Sequence, residues 1–170
     1  MGLLDTLMGT KRPAAGTPDC SPEELRNRLL DLNRETAPWR VVDGTAGGVD
    51  LIAEWKIVDA QWYEIFAKAG LTRVFSIFLR LDSERLEVRA QDQEVRVECE
   101  AGVPTVSLSR QWSRGQTWSF SAGTAYGFTE TLAPGQIYRY RFATEEIKGP
   151  IQEIVIGCGW TYKGVVFGKP

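Results

Sequence analysis

The nine residues VDLIAEWKI, Val49–Ile57, carry an apolar side chain at every odd position. A period of two residues is typical of a β-strand with one buried face. The preceding ten residues, WRVVDGTAGG at 39–48, combine a second apolar stretch with a glycine-rich turn. The two segments together therefore predict a β-hairpin.

The segment before this hairpin, SPEELRNRLLDLN at 21–33, has a period near 3.6 residues instead. Ser21 is suited to cap a helix, Pro22 to occupy its first position and Glu24 to complete a capping box. Leu25, Leu29 and Leu32 fall on one face, with Leu30 beside them. The pattern predicts an amphipathic helix that packs on the body of the fold.

Most of the chain after the hairpin alternates as strands do. A short helix is predicted at 60–69, after the potential N-cap Asp59, and a last short helix is predicted from about Pro150 to Gly157. The predicted strands are RVFSIFLRL (73–81), RLEVRA (85–90), EVRVECE (94–100), TVSLSRQW (105–112), alternating pieces within 113–130, IYRYRFAT (137–144) and WTYKGVVFG (160–168).

This pattern indicates an α+β fold that is mostly antiparallel β. We expect a curved sheet, a barrel or a sandwich of roughly nine or ten strands, with one N-terminal helix and two short helices. Residues 1–19 are interpreted as a flexible appendage and tether, because a short apolar stripe gives way to a Pro/Gly/Thr-rich stretch. Residues 20–170 then form a single β-rich domain.

Composition excludes several functional classes. The chain is mildly acidic, with a net charge of −2 and a pI near 5.3, which argues against a nucleic-acid partner. It contains no histidine, so Ser-His-Asp triads, Cys-His dyads and His-containing zinc sites are excluded. Cys20, Cys99 and Cys158 are odd in number and include no close pair, so the sequence predicts neither a disulfide framework nor a CxxC motif. We predict neither a cofactor nor a metal.

The first twelve residues hold a possible hook for a membrane or a partner. No apolar run is long enough to span a bilayer, and the N-terminus lacks the order of charges of a secretory signal, so we expect a cytoplasmic protein. An interfacial stripe backed by Lys11 and Arg12 predicts weak peripheral contact with a membrane, or contact with a partner. The alternative is a frayed tail or a helix that docks on its own domain. The stripe consists of Leu3, Leu4, Leu7 and Met8.

Paired carboxylates are the remaining route to catalysis, since a glycosidase-like hydrolase needs no histidine. The candidate pairs are Asp92 with Glu94, and Glu145 with Glu146. A turn or bulge at Asp92, and the position of Glu145 and Glu146 near a helix start, explain them without catalysis. Glu64, which lies among aromatic residues, is predicted to face solvent from the helix at 60–69.

Arginines interleaved with aromatic residues form the candidate ligand site: Trp112, Arg114, Trp118, Arg139 and Arg141. A guanidinium beside an indole suits an anionic or aromatic ligand, through charge and stacking. The alternative is a charged strand face above core rings. The leading hypothesis is a non-enzymatic binding module for a partly apolar or anionic small molecule, or for a protein. The alternatives are an adaptor tethered by residues 1–12 and a histidine-free hydrolase.

Overall fold

The computed structural model describes residues 9–56, 73–100, 103–108, 120–121 and 142–165. In chain order, the elements are α1 (Pro22–Leu30), β1 (Trp39–Asp43), a 3-10 turn (Thr45–Gly47), β2 (Leu51–Trp55), β3 (Arg73–Asp82), β4 (Glu87–Glu100), β5 (Val103–Leu108), β6 (Phe120–Ser121), β7 (Phe142–Ala143), α2 (Thr144–Gly157) and β8 (Thr161–Gly164). The helix predicted at 60–69, with Glu64, lies outside the described residues.

The main sheet has the order β1-β2-β3-β4-β5, and β8 also pairs with β4. Neighbours on the β1–β5 path are antiparallel, whereas β8 runs parallel to residues 87–90 of β4. Strands β6 and β7 form a separate antiparallel pair. The described part of the chain is therefore a mixed α+β fold with an open sheet. A closed barrel and a total of nine or ten strands stay predictions.

The predicted hairpin is confirmed as β1 and β2, which pair from Trp39 opposite Trp55 to Asp43 opposite Leu51. The alternation inferred from the sequence is the observed burial pattern of β2, with its odd-numbered residues buried. Gly44 is required in the turn, because a Cβ atom there would lie 2.7 Å from Cγ2 of Val49.

The predicted helix is confirmed as α1. The Ser21 hydroxyl accepts a hydrogen bond from the Glu24 amide at 3.1 Å, and Leu25 and Leu29 are fully buried. Arg26 joins this helix to the hairpin, donating to the Asp50 carbonyl at 2.8 Å. The helix thus packs against the sheet, and the packing buries its apolar face.

Strand β4 corrects the predicted break at Asp92. The sequence predicts two strands, 85–90 and 94–100, with a turn or bulge between them. The structure has one strand with an unbroken β3–β4 register, and Asp92 lies opposite Ile77 in its middle. The apolar residues stand at even positions before the polar residues 91–94 (Val88 and Ala90) and at odd positions after them (95, 97 and 99). A change of this kind indicates a break between two strands, and the prediction failed for that reason. Only a continuous strand places Asp92 in the core.

Helix α2 begins six residues before the predicted start at Pro150, since it runs from Thr144 to Gly157. Proline favours the first turn of a helix, which is why the sequence predicts a beginning at Pro150. Here it lies inside the helix. Ile147, Ile151 and Val155 recur every four residues and are fully buried against the sheet. No helix among the described residues is long and apolar enough to cross a bilayer.

Residues 9–20 contact the domain. Lys11 and Tyr162 exchange two backbone hydrogen bonds of 2.8 Å, which places Lys11 beside β8. The Gln152 side chain donates to the Gly9 carbonyl at 3.4 Å, and Thr10 is buried. The boundary between an appendage at 1–19 and a domain from 20 onward stays a prediction.

Asn33 bonds to the backbone of β1 through its side-chain amide. Its side-chain oxygen accepts from the Val41 amide at 2.6 Å, and its side-chain nitrogen donates to the Val41 carbonyl at 2.7 Å. Among the described residues β1 has a neighbouring strand only on its β2 side, and the Asn33 amide takes the place of one on the other side. We expect Asn33→Ala to lower the free energy of unfolding by about 1–3 kcal/mol, because both Val41 groups lose their partner. Urea unfolding measures this, and an unchanged midpoint would contradict the role.

Candidate functional site

The predicted ligand residues Trp112, Arg114, Trp118, Arg139 and Arg141 lie outside the described residues, and so do the hook residues Leu3, Leu4, Leu7 and Met8. The structure does describe the β6–β7 pair, whose strands follow these two ligand segments in sequence. Phe120 lies opposite Ala143, and Ser121 lies opposite Phe142. The segment ending at Trp118 and the segment ending at Arg141 are thus each connected to one strand of the same pair.

A buried ion pair lies at the centre of the described fold. Lys148 of α2 donates from Nζ to Oδ2 of Asp92 on β4 at 2.5 Å. Asp92 continues a row across the sheet from Val41 through Ala53 and Ile77, whose side chains are buried. The exposed fractions of the two charged side chains are 0% for Asp92 and 3% for Lys148. Both charges therefore lie between the helix and the sheet.

Tyr162 of β8 adds a third polar group to this pair. Its hydroxyl is buried and has no hydrogen-bond partner among the described residues. Burial raises the pKa of the Tyr162 hydroxyl well above its usual value, and the negative charge of Asp92 raises it further. The tyrosine is therefore a neutral phenol at physiological pH.

We call Asp92, Lys148 and Tyr162 the buried polar cluster. A general acid or base must come within hydrogen-bonding reach of its substrate. The cluster is closed to solvent by the packing of α2 and β8, and its ion pair joins α2 to β4. The cluster therefore connects the helix to the sheet. Among the described residues, no three acidic or cysteine side chains are grouped to hold a metal.

Two carboxylates near the surface, Asp43 and Asp82, have pKa values below the usual range, which is opposite to the shift that a general acid needs. Hydrogen bonds from Thr45 lower the pKa of Asp43, and Arg26 lowers it further. A hydrogen bond from Arg85 lowers the pKa of Asp82. A general acid working near neutral pH needs a raised value instead.

The proposed carboxylate pairs are described only in part. Asp92 is bonded to Lys148, whereas the side chain of Glu94 lies outside the described residues. Glu146 is exposed in the first turn of α2, and the side chain of Glu145 is not described. The hydrolase hypothesis stays a prediction.

Sequence reasoning missed the buried polar cluster and one further pair, Cys20 with Cys158. The Cys20 amide donates to the Cys158 carbonyl at 3.1 Å, although the two residues are far apart in sequence. The polar run around Asp92 inside an apolar alternation is the only local signal of the cluster. The cysteine pair has no local signal, because it depends on how residues 18–20 cross the end of α2.

Comparison with protein-family models, with curated proteins and with solved structures finds no match to this chain.

Proposed function

We propose that the protein is a non-enzymatic binding module whose ligand is a small, partly apolar anion. The ligand would lie against the side chains of Trp112, Arg114, Trp118, Arg139 and Arg141. Indole rings supply apolar stacking surface, and guanidinium groups supply charge-assisted hydrogen bonds to an anion.

The β6–β7 pair is the observation that carries this proposal. Trp118 precedes the β6 residue Phe120 by two positions, and Arg141 immediately precedes the β7 residue Phe142. Because Phe142 lies opposite Ser121, the pair joins two positions of the chain that follow Trp118 and Arg141 closely in sequence. Two segments separated in sequence can therefore contribute to one surface.

The charges of the described region are consistent with a non-catalytic role. Several lie in ion pairs that connect elements of the fold, such as Arg26 with Asp43 and Arg40 with Glu54. The buried pair of Asp92 and Lys148 joins helix to sheet. These groups are engaged in the structure, and the arginines at 114, 139 and 141 remain the candidates for a ligand.

A fluorescent aromatic anion, anilinonaphthalene sulfonate, is a suitable probe of this site. We expect the wild-type protein to bind it. Replacing Arg139 and Arg141 together by glutamine should weaken binding by about tenfold for each charge removed, since hydrogen bonds to charged groups contribute roughly 1.5–3 kcal/mol. Titration of the probe fluorescence measures both affinities.

Arg85→Gln is the matched control, because Arg85 is exposed and pairs only locally with Asp82 at 2.8 Å. It should bind the probe as the wild type does. Urea unfolding of each variant checks that the chain stays folded. Equal affinity of the wild type and the double variant, or no binding to the wild type, would contradict the proposed site.

The adaptor hypothesis, with residues 1–12 as a hook, stays a prediction. The relevant observation is that Gly9 bonds to Gln152 of α2 and Lys11 bonds to Tyr162 of β8. Gly9 and Lys11 follow directly in sequence after the segment that carries Leu3, Leu4, Leu7 and Met8.

A further inference from the structure

Two cysteines meet where α1 begins and α2 ends. Cys20 directly precedes Ser21, the N-cap of α1, and Cys158 directly follows the last residue of α2. The Cys20 amide donates to the Cys158 carbonyl at 3.1 Å. The length of this bond and standard bond lengths keep the two Cα atoms within about 7 Å of each other. Disulfides have Cα separations of about 4.4–6.8 Å, which this limit allows.

The backbone on both sides of this contact is held in place. The buried indole of Trp160 donates to the Cys20 carbonyl at 3.0 Å. Gly159 has a φ of 72°, and residues 18–19 pass so close to it that a Cβ atom would lie 2.8 Å from the Pro18 carbonyl oxygen. These contacts, with the backbone bond between Cys20 and Cys158, hold the two cysteines beside each other.

We propose that Cys20 and Cys158 are a redox modification site, which a low-molecular-weight disulfide such as oxidised glutathione converts to an intramolecular disulfide. The Cys20 thiolate attacks one glutathione sulfur, releasing one reduced glutathione and leaving a mixed disulfide. The Cys158 sulfur, after losing its proton, then attacks Cys20 and releases the second. Two protein thiols are oxidised, and one glutathione disulfide is reduced to two thiols.

Cys20 is the attacking residue because it is half-buried, whereas Cys158 is buried. Burial raises the pKa of the Cys20 thiol to about 12, and the hydrogen bond and charge of Cys158 add to the effect. Because the thiolate is the nucleophile, the oxidation is slow at neutral pH. Its rate should rise about tenfold for each pH unit between neutral and mildly alkaline conditions, as the thiolate fraction does.

The disulfide would close a loop that spans most of the chain, from α1 to the end of α2. Constraining the unfolded chain in this way should lower the unfolding equilibrium constant by about a thousandfold, on the scale given for loops of more than a hundred residues. Closure would also hold residues 9–20 at their contacts with α2 and β8. Oxidised protein should therefore unfold at a higher urea concentration than reduced protein.

The test is to treat the full chain with oxidised glutathione, unfold it, alkylate it and count the blocked thiols by mass spectrometry. The chain has three cysteines. We expect alkylation of all three before oxidation and of Cys99 alone afterwards, with a mass lower by two hydrogen atoms before alkylation. Peptide mapping should recover Cys20 linked to Cys158, and the urea midpoint should rise.

Two variants complete the test. Cys99→Ser should still form the bond, and Cys20→Ser should form no intramolecular bond and show no rise in the urea midpoint. Three free thiols in the oxidised wild type would overturn the proposal. So would a bond that includes Cys99, or a reaction that stops with glutathione attached to Cys20.

Discussion

Lys148→Met should lower the free energy of unfolding by about 3–5 kcal/mol, because it leaves the carboxylate of Asp92 in the core without its cation. Methionine has a length and volume close to those of lysine, so packing against the sheet is largely kept. The cost comes from the charge. Asp92 is fully buried in a row of apolar side chains, and its Oδ2 lies 2.5 Å from Nζ of Lys148. Urea unfolding of the variant and the wild type measures the difference.

Lys163→Met is the matched control for the same chemical change at the surface. Lys163 of β8 lies 3.3 Å from Glu87, and the exposed fractions of the two side chains are 46% and 19%. Water screens such a pair, so its loss should cost no more than about 1 kcal/mol. Equal losses of unfolding free energy in the two variants would show that burial of the Lys148 charge does not increase the cost of its removal.

A double variant separates the cost of leaving the Asp92 charge unpaired from the cost of changed packing. Asp92→Leu combined with Lys148→Met replaces both charges with apolar groups of similar size. Buried ion pairs exchanged in this way are often neutral or stabilising. The double variant should therefore recover most of the stability lost in Lys148→Met. If it is as unstable as Lys148→Met, the loss comes from packing or from other contacts of these residues.

The elements that could be predicted from the sequence are those with local signals. Helix α1 has its cap, Ser21, and its apolar repeat within ten residues, and the hairpin has its alternation and its glycine turn within seventeen. The strand β8 is also predictable, but its parallel pairing with β4 is not. Parallel pairing depends on a long connection, and no short stretch of sequence records it.

The buried polar cluster and the cysteine pair could not be predicted because their members come from distant elements. Asp92 looks like a turn residue until Lys148 faces it across the core. Pro150 looks like a helix start, which hides the first turns of α2 and with them Lys148. The predicted ligand residues Trp112 and Arg139 stay a hypothesis, since they lie outside the described residues.

Gly159→Ala should lower the free energy of unfolding by about 2–4 kcal/mol. One part is conformational, because φ is 72° and a left-handed backbone costs an L-residue roughly 1–2 kcal/mol. The other part is steric, since the new Cβ would lie 2.8 Å from the Cα of Asp19 and from the Pro18 carbonyl oxygen. Backbone atoms cannot rotate away as a side chain can, so residues 18–19 must move. Overpacking of this kind typically costs about 1–3 kcal/mol.

Gly16→Ala isolates the conformational part, because Gly16 has a φ of 84° and a Cβ atom added to it would meet no other atom within 4 Å. It should cost only about 1–2 kcal/mol. The additional loss of unfolding free energy in Gly159→Ala, compared with Gly16→Ala, measures how tightly residues 18–19 pack across the end of α2. The same displacement separates Cys20 from Cys158, so Gly159→Ala should also slow formation of their disulfide, and Gly16→Ala should not. Equal urea midpoints for the two variants would show that residues 18–19 yield freely, in which case the cysteines are not held together by this crossing.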